Sequence, residues 1–401
     1  MLKRSRWAAV FAIALGSFVL VTNEFLPVGL LVPIAHDLGV GSAAAGTMVT
    51  VPAIVAAVAA PALTVAAGRM DRRLFLVGMA VLFTLADALG AITPDFALML
   101  LARVLLGVGI GGFWAIGGTV GGRLVGSEDA PRATAIIFGG ISIATVIGVP
   151  AAVAIGTAFG WRTAFALTAV LALITLALLL TLLRPLGVEE PVNFSALTAL
   201  LRSRSARTGL AATVLLVTGH FLGYTFISPY LLARAGLNSA GLTLALFAFG
   251  ATGLAGNFLV APLARRHLKA TILAASLLVA VPALLLVATG GAFPPVVALG
   301  LWGLGYGAVP VALQTWIGRA APAAFEAGSS LYIAAFQGSI AAGSLIGALT
   351  VASRGLPTAL GVGAALALAS ALVFGTLTRR GRTRTTIATP TTPVPVVGEE
   401  N

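Results

Sequence analysis

Residues 103–123 read Arg103-Val-Leu-Leu-Gly107-Val-Gly109-Ile-Gly111-Gly-Phe113-Trp114-Ala-Ile-Gly-Gly-Thr-Val-Gly-Gly-Arg123, and residues 303–319 read Gly303-Leu-Gly305-Tyr306-Gly307-Ala-Val309-Pro310-Val311-Ala-Leu-Gln314-Thr315-Trp316-Ile-Gly-Arg319. Each stretch is apolar, carries a Gly-x-Gly-x-Gly run, and meets an arginine sixteen residues after the first glycine of that run. Upstream of each lies a basic break: Arg69, Asp71, Arg72 and Arg73 before the first, Arg265, Arg266 and Lys269 before the second. One such match is a coincidence; two at corresponding positions indicate a duplicated unit. Duplicated helical units in membranes place a binding site between the copies, near the midplane.

The rest of the chain agrees with a membrane setting. Its 401 residues are 59% hydrophobic and only 9% charged, with a mean hydropathy of +1.06. Soluble domains carry roughly 25% charge, so a water-facing surface cannot be built from this composition and an ordinary soluble enzyme is excluded. Apolar runs of helical length recur throughout, not the alternating ten-residue segments of an outer-membrane barrel. There is no cysteine, which removes disulfides, thiolate metal sites and cysteine nucleophiles.

Reading the apolar runs between polar breaks predicts twelve spans, near 7–33, 43–67, 74–93, 96–122, 133–157, 162–183, 208–232, 240–263, 270–289, 294–317, 327–350 and 357–377. The fold class expected is an all-α polytopic membrane protein of 12 transmembrane helices in two pseudo-symmetric six-helix halves. The expected division is an N-terminal half at 1–183, a cytoplasmic linker at 184–207, a C-terminal half at 208–377 and a disordered cytoplasmic tail at 378–401. If the spans alternate from a cytoplasmic N-terminus, only Arg162, Arg234 and Arg354 of the 24 basic residues fall outside; Arg103 lies within a span and the remaining twenty are inside. That bias predicts both termini in the cytoplasm of a bacterial-type inner membrane. It also accounts for the net charge of +12 through anionic lipid, with no nucleic-acid partner. Met1–Trp7 is basic, but the apolar run behind it is too long for a cleaved signal peptide and contains Glu24.

Several motifs bear a family likeness. Gly68-Arg69-Met70-Asp71-Arg72-Arg73 resembles a shortened form of the loop motif between helices two and three of the major facilitator superfamily. Arg103 with Gly107 resembles its helix-four motif, and Gly148-Val149-Pro150 ahead of Gly160-Trp161-Arg162 is similar to its helix-five antiporter motif. Glu24-Phe25-Leu26-Pro27, Gly112-Phe113-Trp114-Ala115, Gly219-His220-Phe221 and Val309-Pro310-Val311 resemble the sugar-efflux and purine-ribonucleoside-efflux branch of the drug:proton antiporters. The likeness covers residues 7–377. It departs from the family at the glycine expected after Asp71-Arg72, at the second loop copy, which has no acid, and at Ala151-Ala152, where further glycines are common. The resemblance implies the major facilitator fold, a proton as coupling ion with no other cofactor, and a monomer.

Among individual residues, Glu24 stands out. A charge at the bilayer centre costs roughly 2.5–3.5 kcal/mol on insertion scales, so an acid there faces a cavity or is protonated. It is the expected proton carrier, and the resemblance points the same way, since exporters of this group keep an acid in helix one. Arg103 must point inward to an anion or carbonyls; it is read as a gating or relay partner of a carboxylate, with a fixed interhelical tether as the alternative. Asp87 lies towards the outer end of span three, where water exposure is expected. His220 and Tyr224 are four apart and share a helical face, as do Tyr306, Pro310 and Gln314; with Asn23, Trp114 and Gln337 they are the candidate cargo contacts. Aromatic faces and uncharged hydrogen-bonding groups suit a neutral or weakly charged ligand with rings and hydroxyls. Asp71 and Arg72 are expected to latch a neighbouring helix end, and Gly148 with Pro150 to form a joint. No metal set can be assembled.

These readings predict a secondary transporter, a proton-coupled antiporter exporting a small organic molecule (nucleoside, sugar or drug-like) by alternating access. Uptake by the same fold is the alternative within transport. A membrane-embedded enzyme would need a nucleophile and base or a metal set at one depth, and the spans hold one histidine and no G-x-S-x-G string. A non-transporting receptor would be expected to carry a signalling domain. No ATP-binding G-x-x-x-x-G-K-[ST] string is present either.

Overall fold

In the computed structural model, which describes residues 2–126, 128–188, 192–290 and 292–379, all regular structure is helical. Residues 380–401 of the expected tail, and Glu189 and Glu190 of the expected linker, lie outside the described residues. The helices are α1 (Leu2–Asp37), α2 (Ser42–Ala66), α3 (Arg72–Ile92), α4 (Phe96–Val125), α5 (Ala130–Ile143), α6 (Val149–Phe159), α7 (Trp161–Leu182), α8 (Phe194–Arg202), α9 (Arg204–Tyr224), α10 (Ile227–Ala233), α11 (Ser239–Ala288), α12 (Pro295–Ala320), α13 (Phe325–Arg354) and α14 (Leu356–Arg379). Helices form because a chain in hydrocarbon must satisfy every backbone group within itself. They begin where a polar side chain can take up free N–H groups. Asp71 accepts from Arg73 N at 2.7 Å, Asp95 from Leu98 N at 2.8 Å and Asn238 from Gly241 N at 2.8 Å.

Among the described residues ten helices are long and apolar enough to cross a membrane, or eleven when α9 and α10, bent by 43°, count as one span. The difference from twelve lies in α11. Its 50 residues are interrupted at His267, whose φ of −136° and ψ of 46° are not helical. A β-carbon added at Gly303 would lie 2.1 Å from the Phe249 carbonyl oxygen, and one added at Gly305 would lie 2.6 Å from Leu278 Cβ. Phe249 and Leu278 would be over 40 Å apart along a straight helix at 1.5 Å per residue. They meet neighbouring turns of α12 because the chain folds back at His267. Two limbs of α11 therefore stand for spans eight and nine, and the twelve-span architecture follows.

The glycine repeats show the pseudo-symmetry directly. Gly107 and Gly111 of α4 press on α2, with added β-carbons 2.7 Å from the carbonyls of Pro52 and Ala56, while Gly109 faces Met79 and Phe83 of α3. Gly303 and Gly307 of α12 press on the first limb of α11 at Phe249 and Gly253, while Gly305 faces Ala275 and Leu278 of the second. The same glycines seat equivalent neighbours in both halves, and a side chain there would push whole helices apart. The halves meet where α13 packs on α2 and α11 packs on α5.

Proline has different consequences at different positions. Pro150 cannot donate to the preceding turn, and the expected joint in span five is a π-helical turn at Ala144–Gly148 between α5 and α6. Pro229 falls in the first turn of α10, just past the bend. By contrast α1 continues through Pro27 and α12 through Pro310 without a break. Within 184–207, α8 buries Leu197 and Leu200 against Ala321 and Ala327.

Candidate functional site

Glu24 is 4% exposed, on the stretch of α1 that faces the π-helical turn. Gly148 makes the approach possible: a β-carbon there would lie 2.3 Å from Thr22 Oγ1. Across the seam, Gln337 Nε2 of α13 donates to Glu24 Oε1 at 3.2 Å. The acid of the first half is thus held by a neutral amide of the second, and Gln337 is itself buried.

Arg103 donates from Nη1 to the backbone oxygen and Oδ1 of Asn23, both at 3.0 Å. Its guanidinium lies 4.9 Å from the centroid of the Phe165 ring. Arg103 thus points inward to a carbonyl, one of the partners expected for it, and no ion pair joins it to Glu24 or Asp87 among the described residues. Asp87, expected near water, is fully buried. It is covered by α4 and α7 because α3 packs between them, and Thr168 Oγ1 donates to its Oδ1 at 3.2 Å. Arg162 offers a control. It pairs with Asp37 at the end of α1, stacks on Trp161 at 4.2 Å, and is 42% exposed. Its hydrogen bond is the first cause holding the Asp37 carboxyl below the ordinary carboxylate range, so the pair is intact at neutral pH and is lost only as pH falls through that depressed value. Exposed pairs contribute little. Arg103→Ala will therefore reduce transport by tenfold or more, and Arg162→Ala by less than about twofold, in a vesicle uptake assay; equal losses would make Arg103 a mere tether.

The second half contributes an aromatic cluster. Tyr306 of α12 stacks on His220 of α9 with centroids 3.5 Å apart and planes 9° apart. Tyr224 stacks on His220 at 4.9 Å and on Phe249 of α11 at 4.4 Å. Trp302 Nε1 donates to His220 Nδ1 at 3.0 Å, which leaves the neutral imidazole's proton on Nε2. Trp114 stacks on Phe138 at 5.2 Å. Gln314 Nε2, which an added β-carbon at Gly118 of the first half would approach to 3.4 Å, donates to Ser329 Oγ at 2.8 Å, while Gln314 Oε1 has no partner among the described residues.

At the end of the bundle that carries the basic loops the halves are clasped. Arg72, fully buried, donates from Nε to both Glu326 oxygens at 3.1 and 2.9 Å and from Nη2 to Oε2. Arg123 adds a second, more exposed contact to Glu326 at 3.4 Å. Asp71 turns the other way, capping α3 and accepting from Leu186 N at 3.0 Å. Nearby, Asn257 Nδ2 of α11 donates to the Ala135 carbonyl of α5 at 2.9 Å, bordering a cavity of about 450 Å³ lined in part by Glu128, Arg132, Phe258 and Arg265.

Sequence reasoning missed Trp302, Phe249 and Glu326. Trp302 and Phe249 read as ordinary apolar helix positions. Glu326 carried a signal that was available: it is an acid at the start of a span, at the end of the bundle where the basic loops gather. Asp87 was seen but placed in the wrong environment.

The Major Facilitator Superfamily profile matches residues 13–344, and the chain belongs to that superfamily. It is a multi-pass membrane transporter of this class. Among its relatives is the purine ribonucleoside efflux pump NepI of Salmonella typhimurium, 34% identical over 377 residues, covering 94% of this chain and 95% of that one. The transcription regulatory protein OpdE of Pseudomonas aeruginosa is 36% identical over 373 residues, 92% of each chain. The human organic anion transporter MFSD10 (TETRAN) shares the fold, with a TM-score of 0.73 at 18% identity over 92% of this chain and 99% of that one.

Proposed function

We propose that the chain is a proton-coupled antiporter that exports purine ribonucleosides by alternating access. The observation that carries the reading is the Gln337–Glu24 hydrogen bond, which puts the buried acid of one half on the seam with the other. In this reading a purine ring stacks on the partly exposed side of Tyr306, whose other face is taken by His220 with centroids 3.5 Å apart, and such stacking contributes about 1–3 kcal/mol per base. The ribose hydroxyls and ring nitrogens find amides in Gln314, Gln337 and Asn23. NepI, similar along nearly the whole chain, is named for this cargo. The basic loops favour the cytoplasm, so the Arg72–Glu326 clasp closes the cytoplasmic side.

In this reading a proton reaching Glu24 neutralises it, and cargo and proton occupy the seam in turn. Moving one charge through 100 mV supplies about 2.3 kcal/mol, enough for a roughly fifty-fold gradient of a neutral cargo. Counterflow of labelled guanosine in proteoliposomes tests the cargo. Exchange with unlabelled purine ribonucleosides, and none with hexoses or antibiotics, is expected; exchange with sugars alone would overturn it. Tyr306→Ala should weaken guanosine binding by about five- to one-hundred-fold, the range set by one lost stacking contact, as read by equilibrium binding.

A further inference from the structure

We propose that Asp87 is a positioning residue for the proton site: it shares the buried guanidinium of Arg103 with Glu24, and so keeps that cation from fixing the Glu24 carboxyl in its ionised form. This rests on Glu24 as the proton carrier. The membrane interior of the first half holds two carboxyl groups and one guanidinium, all buried: Glu24, Asp87 and Arg103. Arg103 is committed to neither acid. Its hydrogen bonds go to Asn23, and Arg103 Nε and Asp87 Oδ2 are both buried without a partner among the described residues. The two groups meet the same turn of α7, Arg103 over the Phe165 ring at 4.9 Å and Asp87 at Thr168 at 3.2 Å, so a donor and an acceptor are left open in one neighbourhood.

Other charges are placed elsewhere. The elements packed on α3 are α7, α4 and, marginally, α1. Of the charged residues outside the trio on these elements and on α5, which packs on α1, Arg162 and Asp37 pair with each other at one end, Arg72 and Arg123 sit with Glu326 at the other, and Arg132 lies over Trp7 in the first turns of α1. Charge counting then limits what the trio can carry. With one proton aboard it is neutral; without it the net charge is −1; with two it is +1. Uncompensated charge is costly at this depth, so the trio exchanges one proton per cycle, on a Glu24 oxygen, with Arg103 left between the two acids.

The test is proton uptake by the purified full-length protein in detergent, followed with a pH-indicating dye as pH is lowered. Wild type should take up a proton in a window that Glu24→Gln eliminates. Asp87→Asn leaves Arg103 to Glu24 alone, which favours the carboxylate, so the window should move down by about one pH unit or more; Asp87→Glu should restore it. A window unmoved in Asp87→Asn would overturn the proposal, as would one that Asp87→Asn eliminates and Glu24→Gln retains, which would make Asp87 the carrier. If Asp87→Asn does not fold, the charge-neutral double variant Asp87→Asn with Arg103→Gln carries the test. Both the cation and the acid that offsets it are then absent, so the window should stay near that of wild type, whereas Arg103→Gln alone should raise it; an Arg103→Gln window no higher than that of the double variant would overturn the proposal. Loss of the Glu24 reading itself is distinguishable: the uptake would then survive Glu24→Gln in every background.

Discussion

Glu24→Gln is expected to abolish uphill export: the steady-state gradient of nucleoside falls from as much as about fifty-fold to unity, because the 2.3 kcal/mol that one proton supplies at 100 mV is no longer coupled to cargo. The substitution keeps the shape of the side chain, and an amide at position 24 can still hydrogen-bond Gln337. The contact across the seam therefore survives in kind, and guanosine binding should change by less than about threefold. Downhill counterflow, which needs alternation but no proton, should persist. The separation of these readouts matters more than the loss itself. A merely structural acid would lose binding, counterflow and gradient together, since its removal would disturb the packing of α1 on the π-helical turn.

Glu326→Gln should act on the other partner of the cycle, the clasp. Arg72 has no exposed side-chain surface, and deleting the carboxylate leaves its guanidinium buried and uncompensated. Breaking such a pair costs about 3–5 kcal/mol in buried sites; Glu326 is 15% exposed, which places the effect towards the lower figure. The cost falls only on the state in which the clasp is closed, so the population shifts towards opening at the basic end, by about one hundred-fold for 3 kcal/mol. The chain has no native cysteine, so one placed at Ala135, buried beside the seam, reports access cleanly. Its labelling by a maleimide reagent should rise at least tenfold in the Glu326→Gln background. Arg72→Lys should raise it less, because a lysine keeps the charge but cannot form the two-pronged contact. Unchanged labelling in both would reduce the clasp to a static anchor.

The parts of this architecture that were legible in the sequence are those fixed by hydrophobic length and by glycine. Gly107, Gly109 and Gly111, repeated as Gly303, Gly305 and Gly307, announced the duplication because close helix approach admits nothing larger. Their packing on α2, α3 and the two limbs of α11 is the same constraint seen from the structure. The joint at Pro150 was legible for a similar reason, being a backbone effect. Pro27 and Pro310 show the limit of that logic, since α1 and α12 continue past them without a break.

Side-chain partners were not legible. Glu24 and Gln337 are 313 positions apart, Arg72 and Glu326 254, and nothing in either local pattern points to the other. Asp87 was misplaced because depth along a span was taken as a measure of water exposure. In a bundle, exposure depends on which neighbours cover the face, and α4 and α7 cover this one. The histidine was read as free to bind cargo or move a proton; the hydrogen bond from Trp302 narrows it to a neutral ring with one donor.

The most direct measurement is vesicle acidity during transport. Proteoliposomes loaded with a pH-sensitive dye and guanosine are diluted into guanosine-free buffer with no imposed pH gradient. Nucleoside leaving through the protein should draw protons inward, so the lumen acidifies at a rate that follows guanosine efflux and vanishes in Glu24→Gln vesicles. Guanosine efflux with an unchanged luminal pH would contradict the account.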